Sequence, residues 1–337
     1  MPYKLKDGFI IPASTFHGTK GKFPVGFQIY KRSDAPKYKG ELKVLNNNFE
    51  EVGTKYIGMP DRKVLNKWID PKPKNTIVRP PLSSAIKLTA SKSIRLDKLA
   101  ENAIGFINSA GFDIQHAQQM TALFSNPFGN GNGWSVTPSN FRKSMIVFAV
   151  RRLVKPTWLN DRDQFTIPSA ELSQEFINDC LIYTLFSCSN HSSSLKDVIY
   201  KDHMYQIRNE FFPFPYNIFE QDITIPSFYR QIEKIECGYC AEIIKGLSLS
   251  PKAMKVLEEG LKIYHSFYKQ LANLDISKWK IDYIDAGWYQ IRNALKDKYN
   301  FAEFKSAYNV LADKLRPQVY SLGFLRNGFT PKETTND

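Results

Sequence analysis

Strand-like alternation fills the start of the chain, and helical spacing fills its end. Phe9, Ile10 and Ile11 form a short apolar run, and Phe23, Val25, Phe27 and Ile29 alternate with small or polar residues. A period of two implies one buried face, so residues 8–32 read as a hairpin, with Gly18, Lys20, Gly21 and Lys22 supplying turn chemistry. The pattern repeats over residues 41–45 and 52–57, around Asn46, Asn47 and Asn48. Val64, Leu65 and Trp68 fit a short helix over residues 61–70. Residues 71–84 hold four prolines with Lys72, Lys74 and Arg79, and read as a stiff extended connector.

Further along, residues 103–107 and 120–124 suit strands, and residues 125–134 form a glycine-rich loop. Thr137 as cap and Pro138 at the first helical position predict a helix whose apolar face is Phe141, Met145, Phe148 and Leu153. Residues 169–187 predict a second helix, capped by Ser169. Residues 211–226 carry too many prolines for a helix, and their aromatics look exposed. Helical spacing then covers 227–246, 251–272, 283–297 and 301–320, with Pro317 expected to kink or end the last, and the tail after Asn327 expected to fray. The fold class expected is α+β: a hairpin-rich start, a mixed α/β middle and a helical C-terminal bundle. Boundaries are expected near 33/34, 84/85 and 226/227.

Composition narrows the picture. The chain has 337 residues and 42% hydrophobic content, enough for a sizeable core. It has no apolar run long enough for a transmembrane helix, and its N-terminus is too polar for a secretory signal. Four cysteines do not make a disulfide framework, so a reducing cytoplasm is the expected setting. The net charge is +13, and it is concentrated: residues 1–100 hold 20 Lys/Arg against 8 Asp/Glu, the remainder 26 against 25. Such a basic region attracts polyanions, of which DNA is the commonest in a cytoplasm, although a solvated lysine face or an acidic partner fits the same count.

Pattern alone also allows an ordinary hairpin whose Phe16 packs inside. Residues 14–30, STFHGTKGKFPVGFQIY, add something more specific. They resemble the late hairpin of bacterial adenine-N6 DNA methyltransferases, especially the large ones linked to restriction-modification systems. There an aromatic at the end of the first strand is followed by a short Gly/Lys loop and a Phe-Pro-Ile/Val-Gly-Phe-x-Ile-Trp/Tyr strand. Residues 155–165, KPTWLNDRDQF, are similar to a segment in the C-terminal half of the same proteins, so the resemblance spans residues 8–190.

The resemblance implies that the first hairpin closes a class I methyltransferase sheet and that Phe16 stacks on the adenine flipped out of the duplex. In the family the catalytic Asn/Asp/Ser-Pro-Pro-Tyr/Phe motif and the glycine-rich cofactor loop precede this hairpin, and only seven residues precede Gly8. The chain is therefore expected to be the downstream, DNA-reading portion, with no cofactor of its own. S-adenosylmethionine would belong to the complete enzyme, and an upstream catalytic half and double-stranded DNA would be the partners. A stand-alone DNA-binding specificity or defence subunit is the alternative.

Candidate side chains follow from base and phosphate chemistry. Lys20, Lys22, Arg32 and Lys37 suit phosphate contacts. Asn130, Asn132, Asn140, Arg142, Arg162 and Gln164 suit base edges, Asn and Gln matching adenine and Arg guanine. Three blander motifs stand beside them. Asn126-Pro127-Phe128 lacks the second proline of the catalytic motif, and the glycines after it lack a strand–loop–helix setting. Cys237 and Cys240 have zinc spacing without a second ligand pair, and read as ordinary buried cysteines. Asp161 and Asp163 form a lone Asp-x-Asp, open either to a nuclease metal site or to a turn fixed by internal salt bridges.

Overall fold

The two N-terminal hairpins form as their alternation predicts, and the chain then closes them into one sheet. This is seen in a computed structural model that describes residues 2–21, 23–34, 39–58, 62–79, 97–125, 132–192, 197–200, 203–206, 210–219, 222, 238–270, 287–326 and 328–332. Strands β1 (Tyr3–Pro12) and β2 (Pro24–Arg32) pair antiparallel, as do β3 (Gly40–Leu45) and β4 (Glu51–Ile57). The hairpins join through a parallel β1–β3 contact, Ile10 beside Val44. Ile10, Leu42, Val44 and Lys55 share the face turned to the body of the protein, because partners across a ladder point the same way. Phe9 and Phe27 lie on the other face, their rings stacked at 4.8 Å.

The body begins with two short strands, β5 (Ile77–Arg79) and β6 (Asp97–Leu99), paired with each other. A four-stranded mixed sheet follows, built from β7 (Gly105–Asn108), β8 (Ala122–Phe124), β9 (Gly133–Val136) and β10 (Asn190–His191), in the order β10-β8-β7-β9. Helix α1 (Ile114–Met120) links β7 to β8 and is capped by Asp113, which accepts the His116 amide. Helix α2 (Phe141–Leu153) runs through the centre, with Ser144 to Arg151 all buried, and packs on α3 (Gln174–Leu185). A hairpin of β11 (Asp197–Tyr200) and β12 (His203–Gln206) precedes the C-terminal helices α4 (Tyr239–Ile244), α5 (Pro251–Gln270), α6 (Trp288–Ala294) and α7 (Ala302–Ser321). One cluster of buried side chains runs from Leu65 to Leu325, with members on both sides of residue 226. The fold is mixed α+β, and none of the described helices is long and apolar enough to cross a membrane.

Several expectations are corrected. The tail is not frayed at its start: β13 (Phe329–Pro331) pairs with β4, giving the five-stranded order β13-β4-β3-β1-β2. Backbone pairing stabilises a three-residue strand whose own sequence carries no alternation worth reading. Four of the aromatics of 211–226 are buried rather than exposed. Phe211, Phe212, Phe214 and Phe219 pack among Tyr264, Tyr268 and Phe186, so these prolines serve an aromatic core and not a surface. Helix α3 starts after Ser173, whose hydroxyl accepts the Phe176 amide, because Ser169 is tied to the Leu322 carbonyl instead. Helix α2 starts after Asn140, and Thr137 belongs to the preceding turn. Pro317 lies inside α7 without ending it, since buried Leu315 and Val319 hold the last turn in the core. Of the expected helix over 61–70, the described residues 62–70 form only a 3-10 turn, Leu65–Trp68, and Trp134 lies in β9 rather than in a loop.

Gly260 shows why a glycine stands mid-helix in α5. A Cβ there would lie 2.2 Å from the Phe186 ring. Gly260→Ala is expected to cost about 1–3 kcal/mol of stability by overpacking, despite alanine's better helix propensity. A thermal unfolding midpoint equal to or above that of the parent would refute this account.

Candidate functional site

A cleft of about 370 Å³ opens where the inner face of the N-terminal sheet meets the body. The sheet contributes Ile10, Gly26 and Gln28 from β1 and β2, and Lys55 and Tyr56 from β4. The facing wall is the segment that follows α2. Its start is a turn closed by Asn160, whose side chain accepts the Thr157 amide at 2.6 Å. The chain then runs extended, bridged by Gln164 to Asp113 and by Thr166 to Val64. Phe165 is buried in the core between these bridges, while Arg162, Asp163 and Gln164 line the cleft. The C-terminal segment closes the end. Gly323, at φ +78, turns the chain out of α7 and delivers Arg326 to the cleft.

Four cations, Lys55, Arg62, Arg162 and Arg326, line the cleft against the one carboxylate of Asp163. Lys55 is only 6% exposed and donates to Asp163 Oδ1 at 2.7 Å and to the Leu159 carbonyl at 2.6 Å, locking the two walls together. Burial pushes the Asp163 carboxyl above its ordinary range, and Lys55 pulls it partly back. Arg162 is 59% exposed and stands 3.8 Å from Asp161 and 3.9 Å from Asp113, contacts too long to neutralise it. Arg326 stacks 3.9 Å over the Tyr56 ring. Arg62 makes one long contact, 3.4 Å, to the Ile167 carbonyl. The result is a pocket with net positive charge, an apolar floor and two carboxamides.

The cleft gathers two of the side chains picked out from the sequence, Arg162 and Gln164. Phe16 is elsewhere. It sits at the hairpin tip, 39% exposed, with its ring 6.4 Å from Phe27 on the sheet face opposite the cleft. Lys20 and Arg32 are exposed along the same hairpin. Asn132 is exposed beside β9, where its carbonyl accepts the Ser109 amide. Asn140 is committed to structure: it accepts from the Thr137 amide and the Ser144 hydroxyl, and donates to the Ser135 carbonyl. Arg142 lines a separate small pocket beside Ile177 and Ile243. Lys22, Lys37, Asn130, Cys237 and the 126–131 glycine segment lie outside the described residues.

Asp161 and Asp163 diverge, the first buried beside Arg162 and the second paired with Lys55. Among the described residues no group of three His, Cys, Asp or Glu side chains is placed to hold a metal. Cys240 is buried in α4, and burial pushes its thiol up. Comparison with protein-family models, with curated proteins and with solved structures finds no match. Gln28, Lys55, Arg62 and Arg326 were not singled out by sequence reasoning. Lys55 carries a usable signal, because strand alternation with Gly53 and Ile57 puts a charge at an inward position. Arg326 carries none, since its place depends on the return of the chain to β4.

Proposed function

We propose that this chain is the target-recognition part of a site-specific adenine-N6 DNA methyltransferase, working with that enzyme's catalytic half. The observation that carries this reading is the state of the β1–β2 hairpin. β2 is the outermost strand of its sheet, exposed along almost its whole length. Tyr3, Phe16, Phe23, Phe27, Ile29 and Tyr30 make this hairpin the home of more than half the exposed large apolar side chains among the described residues. An edge strand with apolar groups on both faces is a liability in isolation and normal inside a larger sheet covered on both sides. The likeness of residues 14–30 to the last hairpin of the methyltransferase sheet supplies the identity of that larger sheet.

In this reading the catalytic half adds its strands to the β2 edge and binds S-adenosylmethionine, which supplies the methyl group. The present chain supplies the rest. Adenine N6 is unreachable in the stack, so the base must be extruded. The Phe16 ring, half-exposed and braced by Phe27, is the stacking wall. The cleft and the basic N-terminal third hold DNA by phosphate neutralisation, with Arg162 and Gln164 facing bases.

The test is reconstitution with a catalytic half and a methylatable duplex. Stacking is worth about 1–3 kcal/mol per base, so Phe16→Ala is expected to lower methylation roughly 5- to 150-fold while changing DNA affinity little. Phe16→Trp should restore most of the rate. Undiminished turnover in Phe16→Ala would remove the stacking role. A stand-alone DNA-binding specificity or defence subunit is the second reading, which draws on the same cationic cleft. DNA binding that no catalytic half converts into methylation would select it.

A further inference from the structure

We propose that the cleft is a one-nucleotide pocket, which takes the phosphate and base of a nucleotide standing outside the duplex stack. It is distinct from the place where Phe16 would hold the target adenine, because the two lie on opposite faces of the N-terminal sheet. The proposal rests on the DNA reading for the origin of its ligand, and on the cleft's own geometry for everything else.

Size comes first. About 370 Å³ lies near the lower end of ligand pockets, roughly 300–1,000 Å³, which suits one nucleotide and excludes a length of duplex. Lining comes second. A surface that only tracks the backbone needs cations and no apolar floor. This cleft has both: Ile10 and Ile57 beneath, and guanidinium groups around the mouth. An apolar floor is what a base face needs, and cations are what its phosphate needs.

The guanidinium groups are available. Among the described residues Arg62 and Arg326 have no ion pair, and the carboxylates near Arg162 are 3.8 and 3.9 Å away. Lys55, by contrast, is consumed by Asp163 and the Leu159 carbonyl, so it braces the pocket and does not bind. The carboxamide of Gln28 gives a preference among bases. Gln28 accepts the Tyr30 hydroxyl at 2.6 Å, which orients its amide on the cleft face of β2. A glutamine amide matches the donor and acceptor pair of an adenine edge. The same cations disfavour a sulfonium, so S-adenosylmethionine does not fit here although it carries an adenine.

The experiment is titration of the full chain with deoxyadenosine monophosphate, inorganic phosphate, deoxyadenosine and S-adenosylmethionine, followed by calorimetry. A perfect duplex and the same duplex with one unpaired adenine are titrated in parallel. The expected result is saturable binding of the nucleotide, with deoxyadenosine weaker by about tenfold or more for loss of charge-assisted contacts. Arg162→Ala and Arg326→Ala should each weaken nucleotide binding about tenfold and abolish any preference for the unpaired duplex. Both side chains project from the surface of the cleft, and unchanged unfolding midpoints would show that the variants fold. No saturable nucleotide binding, or binding unaltered in both variants, overturns the pocket. If the perfect duplex still binds in that case, the DNA reading survives it. Nucleotide binding without duplex binding would uphold the pocket and remove the DNA reading.

Discussion

Arg151→Met is expected to lower stability by about 3–5 kcal/mol, the largest effect of any single substitution proposed for this chain. Arg151 is 0% exposed, yet it forms no ion pair among the described residues. Its guanidinium donates to the Ala110 carbonyl at 2.7 Å, the Gly111 carbonyl at 3.1 Å, the Thr121 hydroxyl at 2.9 Å and Asn66 at 3.4 Å. Burial pulls its pKa down to about 10, so it remains charged at neutral pH. Methionine fills a similar volume and leaves these acceptors buried without donors, each costing about 1–3 kcal/mol. The damage would reach the cleft. Phe112 and Ile114, in the loop that Arg151 pins, bond the backbone of Phe165 and Asp163 in the cleft wall. Urea unfolding measures the loss. A midpoint within experimental error of the parent would mean that those acceptors find other donors, and Arg151 would lose its role as a pin.

Lys55→Met should cost about 2–4 kcal/mol at neutral pH, somewhat below the usual loss for breaking a fully buried pair because Asp163 keeps 21% of its side chain in solvent. The pH dependence has a definite sign. The folded-state pKa of Asp163 is already raised by burial. A carboxyl raised in the folded state takes up its proton there first, so acidification through that range favours folding relative to neutral pH. Removing Lys55 raises the carboxyl further. The deficit of the variant is therefore largest at neutral pH and shrinks in mild acid. Asp163→Asn added to Lys55→Met should recover much of the loss by removing the stranded charge. Unfolding free energies at neutral and mildly acidic pH for the parent, single and double variants settle this, and a deficit that grows on acidification would show the pair is not what holds the walls together.

Local patterning determined the two N-terminal hairpins, the strands at β7 and β8, and the long helices α2, α5 and α7 within a few residues at each end. Each is specified by neighbours along the chain: alternation of Phe23, Val25, Phe27 and Ile29, or helical spacing of Phe141, Met145 and Phe148. It also brought out the charge of the first third, and Arg162 and Gln164 as polar side chains worth following. What only the tertiary structure decided is everything that depends on contacts distant in sequence. β13 exists because β4 offers an edge more than 270 residues away. Phe212, Phe214 and Phe219 are buried because α5 covers them, and Asn140 is consumed by a turn that its own sequence does not announce. The cleft has the same origin. Its cations come from β4 and the residues after it, from the segment after α2 and from the turn after α7, and no window of sequence contains them together, whereas backbone pairing and burial of Phe165 and Phe324 bring them within reach of a single ligand.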